Sequence, residues 1–297
     1  MFKILFLAIY IFLLFFPAGT LNAGEMEVLT NRNLAVYFDS PVRSAAKEVA
    51  EMYPKIKVEL ESTFGWDLPL NPSVILINNS RRFEMMAESP LTVAYAVPTR
   101  NLVVIDLTKM RVNPFSLENT LKHEICHLLL HYHIKGHNLP RWLDEGVCQW
   151  VSHGISDIIM NPKQSLLNKA VARGRFIPLS RLQRGFPREK GPLLLAYEES
   201  KSFLDYITSR FGRNGLINIL DSMKKGEDVY TAFHKSLNFT LDNLEDDWHE
   251  SLKKKMPWLA HVSFYLYEIL FGLTALIAIY AFIKMIRRKR AYMDAEE

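Results

Sequence analysis

Apolar positions follow different rhythms in different parts of this chain. Residues 34–38, 74–77, 92–97 and 102–105 are short runs rich in β-branched and aromatic side chains, and each predicts a strand. Pro98-Thr99-Arg100-Asn101 joins the last two as a hairpin. After the first strand, Ser40-Pro41 opens a helical pattern that runs to about residue 64, with Pro54 as the point where it kinks or splits. Residues 81–87 predict a short helix. From residue 117 the period changes to that of a helix: Leu117, Leu121, Leu128 and Leu129 recur, no Pro or Gly interrupts residues 117–135, and Ser116 fits the N-cap. Gly136 and Asn138 end that helix, and Pro140 suits the first turn of another. Beyond Trp150 the pattern stays helical, with turn signals at Arg173-Gly174, Gly185-Phe186-Pro187, Gly212 and Gly226. Strands first and helices afterwards predict an α+β domain.

The two ends have continuous apolar runs instead. Residues 4–16 are apolar behind Lys3, and Pro17 and small residues follow up to Ala23. Residues 1–23 therefore read as a secretory leader cleaved after Ala23, its apolar core of about 13 residues being short for a membrane span. Residues 261–283 are nearly all Phe, Tyr, Leu, Ile and Ala, and Lys284, Arg287, Arg288, Lys289 and Arg290 follow at once. This predicts one transmembrane helix with a basic cytoplasmic tail at 284–297, an aromatic belt at Trp258, Tyr265 and Tyr267, and Glu268 snorkelling near its outer end. Residues 24–260 then form a domain on the extracytoplasmic, periplasmic side of the plasma (inner) membrane. Lys3 and the tail account for +3 of the chain's net charge of +4, so that domain is near neutral, which argues against nucleic acid as a partner.

The chemistry concentrates in Lys122-His123-Glu124-Ile125-Cys126-His127. On a helix, His123 and His127 stand one turn apart, about 40° around the axis and roughly 6 Å along it, so both imidazoles can reach one ion. Glu124 falls on the flank of that face, where a carboxylate can act on water without joining the metal. A third ligand is needed. His131 lies about 12 Å from His123 along a straight helix, too far for metal–nitrogen bonds of about 2 Å. His133 has the spacing of the third histidine in H-E-x-x-H-x-x-G-x-x-H, but Leu130 stands where that pattern has its helix-ending glycine. His131, His133 and His137 therefore read as a solvated helix end. The chain reverses at residues 136–140 and can lay Glu145 against the histidine pair.

A helix with H-E-x-x-H, a reversal, and then Trp142-Leu143-Asp144-Glu145-Gly146 resembles the gluzincin zinc peptidases, in particular their membrane-associated peptidase-MA-like group and, more distantly, thermolysin and the aminopeptidase N family. The resemblance spans about residues 34–255, with its strong motifs at 123–150. It implies a zincin-like metalloprotease domain, with a small N-terminal sheet and active-site helix followed by a helical half. It further implies Zn2+ held by His123, His127 and Glu145, water in the fourth position activated by Glu124, and peptide or protein substrates. Tyr197, in Leu195-Ala196-Tyr197-Glu198-Glu199-Ser200, is carried over as a stabiliser of the transition state, against the plainer reading of a core tyrosine. Residues 92–97 are the strand that such families pair with extended substrate, or a plain hairpin. The motif by which aminopeptidase N relatives hold a free amine is absent, so an endopeptidase is the expectation. Gln149 stands where relatives commonly carry an acidic residue, which leaves room for a zincin-like scaffold without catalysis that serves in membrane-tethered binding or assembly, or for a structural zinc. Cys126 and Cys148, the chain's two cysteines, can pair across the two motif helices or lie as small buried side chains.

Overall fold

A computed structural model describes residues 26–87, 91–112, 115–136, 139–152, 165–255 and 266–293. The leader, Trp258 and Tyr265 lie outside these residues. The chain forms two compact units, one on each side of the 113/114 bond.

The first unit is a five-stranded sheet. Its strands are β1 (Glu27–Asn31), β2 (Leu34–Phe38), β3 (Ser73–Ile77), β4 (Ala94–Val97) and β5 (Leu102–Asp106), in the spatial order β1-β2-β3-β5-β4. β2, β3 and β5 run parallel, and an antiparallel strand closes each edge. β5 is interior and buried along Val103, Val104, Ile105 and Asp106, whereas β2 alternates with Leu34, Val36 and Phe38 inward. β1 was not expected. Its Glu27-Val28-Leu29-Thr30-Asn31 lacks a β-rich run, and its pairing with β2 makes it a strand.

The crossover from β2 to β3 is helix α1 (Arg43–Phe64), which buries Ala46, Val49, Tyr53, Ile56, Leu60 and Phe64 on one stripe. It runs unbroken through Pro54. That residue lies on the exposed side, where water can serve the carbonyl left without its helical partner. Gly65 ends α1 in the left-handed conformation, φ +68°, its N–H donating to Glu61 O. The short helix α2 (Ser80–Glu84) starts one residue earlier and ends sooner than expected, with Asn79 accepting from Arg82 N. The expected hairpin is present as β4, a 3-10 turn at Pro98–Arg100, and β5, although β4 begins at Ala94 instead of Thr92.

The second unit is helical: α3 (Leu117–His133), α4 (Arg141–Ser152), α5 (Leu166–Arg173), α6 (Lys190–Lys224), α7 (Val229–Leu237), α8 (Leu241–Lys255) and α9 (Leu266–Met293). α4 packs against both α3 and α6, and α6 also packs against α7. Trp142, Phe203, Phe233 and Trp248 form the aromatic centre of this unit, with the Trp142 and Phe203 rings 5.4 Å apart and nearly perpendicular. The turn expected at Gly212 is a kink within α6, where the glycine takes φ +73°.

Two adjacent glutamates of α6 hold the segment around α5. Glu198 accepts from Ser165 Oγ, Leu166 N and Leu167 N at the start of α5, and Glu199 accepts from Ile177 N beyond its end. α9 contains a 23-residue stretch, 266–288, long and apolar enough to cross a membrane, and none of it is buried against the protein.

Candidate metal centre

The centre lies wholly within the second unit and begins with α3. The Ser116 hydroxyl caps the helix by accepting from Asn119 N, and Ile134 N still donates to Leu130 O at the other end, so the helix passes through Leu130 without a break. His133 thus stays on the helix, as the missing glycine predicted. Every residue from Thr120 to Leu130 is buried, so His123, Glu124 and His127 sit on a helix with no solvated face at their level. Polar groups in such a place require partners.

α4 supplies them. Pro140 O accepts from Leu143 N and Asp144 N, both at 3.0 Å, which sets the first turn. Glu145 is then 2% exposed and reaches the histidine pair. His123 Nε2 and His127 Nε2 are 3.2 Å apart, and Glu145 Oε2 lies 3.4 Å from the first and 3.7 Å from the second. A circle through three points with those separations has a radius of about 2.0 Å. That equals the length of a zinc–nitrogen or zinc–carboxylate bond, about 2.0–2.2 Å, so one ion can touch all three donors from a point on or just off their plane. Glu145 Oε2 and His123 Nδ1 are buried without a hydrogen bond. Two ring nitrogens facing each other and a bare carboxylate oxygen form a donor set that suits a cation. A second grouping, His127, Asp144 and Cys148, also falls within ligand range. There, however, His127 Nδ1 and Asp144 Oδ1 are 2.7 Å apart, a hydrogen-bond distance too short to admit a metal between them.

Asp144 orients the centre. It accepts from His127 Nδ1, which leaves Nε2 as the nitrogen turned to the shared point, and its other oxygen lies 2.9 Å from His131 Nε2. His131 is therefore bound to the site's supporting carboxylate, which corrects its reading as a solvated helix end. Burial works against charge on both partners, yet it is outweighed: Asp144 and Glu145 push the His127 pKa up, and His127 and His131 hold the Asp144 carboxyl well below the usual carboxylate range. Glu145 is likewise held down to about 2, against its burial, by Arg141 and His127. Glu124 differs. Its burial raises its pKa and prevails over the lowering pull of His123 and His127.

Tyr197 is half-buried on α6, edge-on to Phe186 with ring centroids 5.0 Å apart, and within hydrogen-bonding reach of Arg141. Burial, with the nearby Glu145, raises its pKa and keeps the hydroxyl protonated. Gly146 sets how closely α4 approaches this helix: a Cβ there would stand 2.9 Å from Ser200 O and 2.7 Å from Leu204 Cδ2. Cys126 and Cys148 are both free and fully buried, and Cys148 Sγ lies 3.4 Å from His127 Nδ1.

The sequence reading thus placed His123, Glu124, His127 and Glu145 in one cluster with Tyr197 nearby, and it missed Asp144 and Arg141. It sought the supporting acid one turn after Glu145, where Gln149 is buried with its amide nitrogen unpartnered, whereas the acid that orients His127 directly precedes Glu145. The i, i+4 spacing of Arg141 and Glu145 was the signal available for the other residue.

The model of the Peptidase MA superfamily matches residues 69–254. No curated protein sequence matches the chain. Among solved structures, an M1 zinc metallopeptidase from Deinococcus radiodurans is similar over 78% of this chain and 52% of its own, with 15% identity and a TM-score of 0.44. Legionella pneumophila aminopeptidase A, in complex with aspartic acid, is similar over 76% of this chain and 27% of its own, with 14% identity and a TM-score of 0.45. The chain spans about half the length, or less, of these structures. With the match covering well over half of its residues, this chain belongs to the Peptidase MA superfamily.

Proposed function

We propose that this protein is a membrane-anchored, zinc-dependent peptidase, and an endopeptidase within that class. The observation that carries the proposal is the donor triangle of His123, His127 and Glu145, whose size suits one zinc ion, with the buried Glu124 beside it. A structural zinc site closes its shell with four protein ligands, and three convergent donors leave a position for chemistry. When bound, zinc would supply Lewis-acid polarisation of a peptide carbonyl and a lowered pKa for water.

The side chains divide the remaining work. Glu124 takes a proton from the attacking water and returns it to the leaving amine, a role that its raised pKa suits. Tyr197 directs its O–H at the oxygen that gains charge, a contact that strengthens only as the carbonyl becomes tetrahedral. Asp144 keeps His127 in the tautomer that offers Nε2. By the same reading, α9 is the membrane anchor, the basic tail lies in the cytoplasm, and the domain before it faces the extracytoplasmic side.

Glu124→Gln tests this. The full-length protein in detergent should bind one zinc per chain and cleave an unfolded protein substrate, and the variant should keep the zinc and lose cleavage by at least about 100-fold. A zinc-loaded variant with undiminished cleavage refutes the mechanism. Gln149 favours a second reading, a zincin-like scaffold for membrane-tethered binding or assembly, because a neutral amide is the weaker support for a ligating imidazole and neither its nitrogen nor His123 Nδ1 has a partner. Stoichiometric zinc without any cleavage by the wild type would select it.

A further inference from the structure

Arg141 is neither a candidate ligand nor a candidate acid or base, yet it lies near three members of the site. It stands one turn before Glu145 on α4 with its side chain 45% exposed, Nη2 lying 2.5 Å from Glu145 Oε1 and Nη1 3.9 Å from Asp144 Oδ2. It is also within hydrogen-bonding reach of the Tyr197 hydroxyl. The two oxygens of Glu145 are thereby given separate tasks. Oε1 is occupied by the guanidinium, while Oε2 has no hydrogen bond and faces both imidazoles. A carboxylate anchored in this way turns Oε2 to a cation and holds Oε1 toward the guanidinium.

The contact with Tyr197 has a direction as well. A guanidinium carries N–H donors and no acceptor, so in an Arg141–Tyr197 hydrogen bond the phenol oxygen must accept. The phenol's own proton is then left to donate elsewhere. If the phenol instead donated to Glu145, it would be spent before substrate arrived. Only a planar, forked cation can serve the carboxylate and the phenol at once in fixed geometry.

Building on the zinc peptidase reading, we infer that Arg141 is a positioning residue that holds Glu145 as a one-oxygen ligand and orients Tyr197 so that its O–H points at the substrate. It acts through these two residues and need not touch the substrate itself.

Full-length protein in detergent tests the inference through zinc affinity, measured by competition with a chromophoric chelator, and through kcat and KM on a peptide substrate. Arg141→Ala should weaken zinc binding about 10–100-fold, the usual cost of removing a partner that holds a metal ligand. Arg141→Lys keeps the charge and guards against misfolding of the alanine variant. It should keep zinc affinity within a few-fold and lower kcat about 10-fold or more with little change in KM, because the fork is lost. In a Tyr197→Phe background the same lysine substitution should cost nothing further in kcat, as expected of two residues acting as one unit. Unchanged zinc affinity in Arg141→Ala, or kcat losses for Arg141→Lys and Tyr197→Phe that multiply in the double variant, would overturn the inference while leaving the peptidase reading in place. Wild type that binds no zinc would overturn both.

Discussion

Gly146→Ala probes the contact that brings Glu145 and Tyr197 to the same place. The added Cβ would meet Ser200 O at 2.9 Å and Leu204 Cδ2 at 2.7 Å, where ordinary contact begins near 3.4 Å. The leucine methyl can swing aside. The carbonyl of Ser200 belongs to the backbone of α6, so α4 and α6 must separate locally by about 0.5 Å. Overpacking of this kind costs about 1–3 kcal/mol, and the backbone clash places this case in the upper part of that range. Replacing a helical glycine by alanine returns about 1 kcal/mol of helix propensity. The net expectation is a destabilisation of about 1–2 kcal/mol, read as a lower midpoint with unchanged slope in urea unfolding of the detergent-solubilised protein. Because Glu145 lies on one of the two helices and Tyr197 on the other, the same separation should lower kcat about 10-fold, given that a displacement of about 1 Å costs on the order of 100-fold. A variant more stable than wild type by about the propensity gain, with full activity, would show that the close approach of α4 to α6 does not constrain the site.

Other residues give independent checks. Asp144→Asn removes the carboxylate that holds His127 Nδ1 and should weaken zinc binding about 10–100-fold in a chelator competition; affinity equal to wild type would mean that the ring orients itself. Gln149→Glu places an acidic acceptor one turn after Glu145 and should raise zinc affinity by about 3-fold or more by supporting His123 Nδ1, which lacks a hydrogen bond; unchanged or lower affinity would show that His123 takes no support from that position. Glu199 is fully buried, and its burial together with Glu245 and Glu198 pushes its pKa up to about 8 despite the bond from Ile177 N. The folded protein therefore keeps a proton that the unfolded chain releases near pH 4.5, so stability falls as pH rises from about 4.5 to 8, by up to about 1.4 kcal/mol per unit, and levels off above. Glu199→Gln keeps the acceptor oxygen for Ile177 N and removes the titration, so its stability relative to wild type should rise between pH 5 and pH 8; a constant difference in urea unfolding across that range would refute the assignment.

Much of this protein was legible wherever the signal was local. Alternation and β-branching marked β2, β3 and β5, the uninterrupted stretch after Ser116 marked α3, and the spacing of His123 and His127 specified a shared face because helical geometry does not depend on the rest of the fold. Leu130 likewise predicted a helix that continues through His133, and it does. β1 was illegible for the opposite reason. An exposed edge strand with polar residues is defined by its partner, and no pattern within Glu27–Asn31 shows that partner.

The amino-acid sequence by itself determined the types of the candidate ligands, the helix that carries two of them and the reversal that returns a carboxylate. Only the tertiary structure decided which groups surround them. Asp144 could have faced solvent, His131 could have been a free helix end, and Arg141 could have formed an ordinary surface ion pair. Packing α4 against α3 and α6, with glycine at position 146 where the helices nearly touch, turns Asp144 toward His127 and His131 and brings Arg141 beside Glu145 with Tyr197 nearby. Apart from the Arg141–Glu145 pair, these contacts depend on how closely separate helices approach one another, to within a fraction of an ångström. Residue spacing along one helix signals the Arg141–Glu145 pair but contains no information about the contacts between helices.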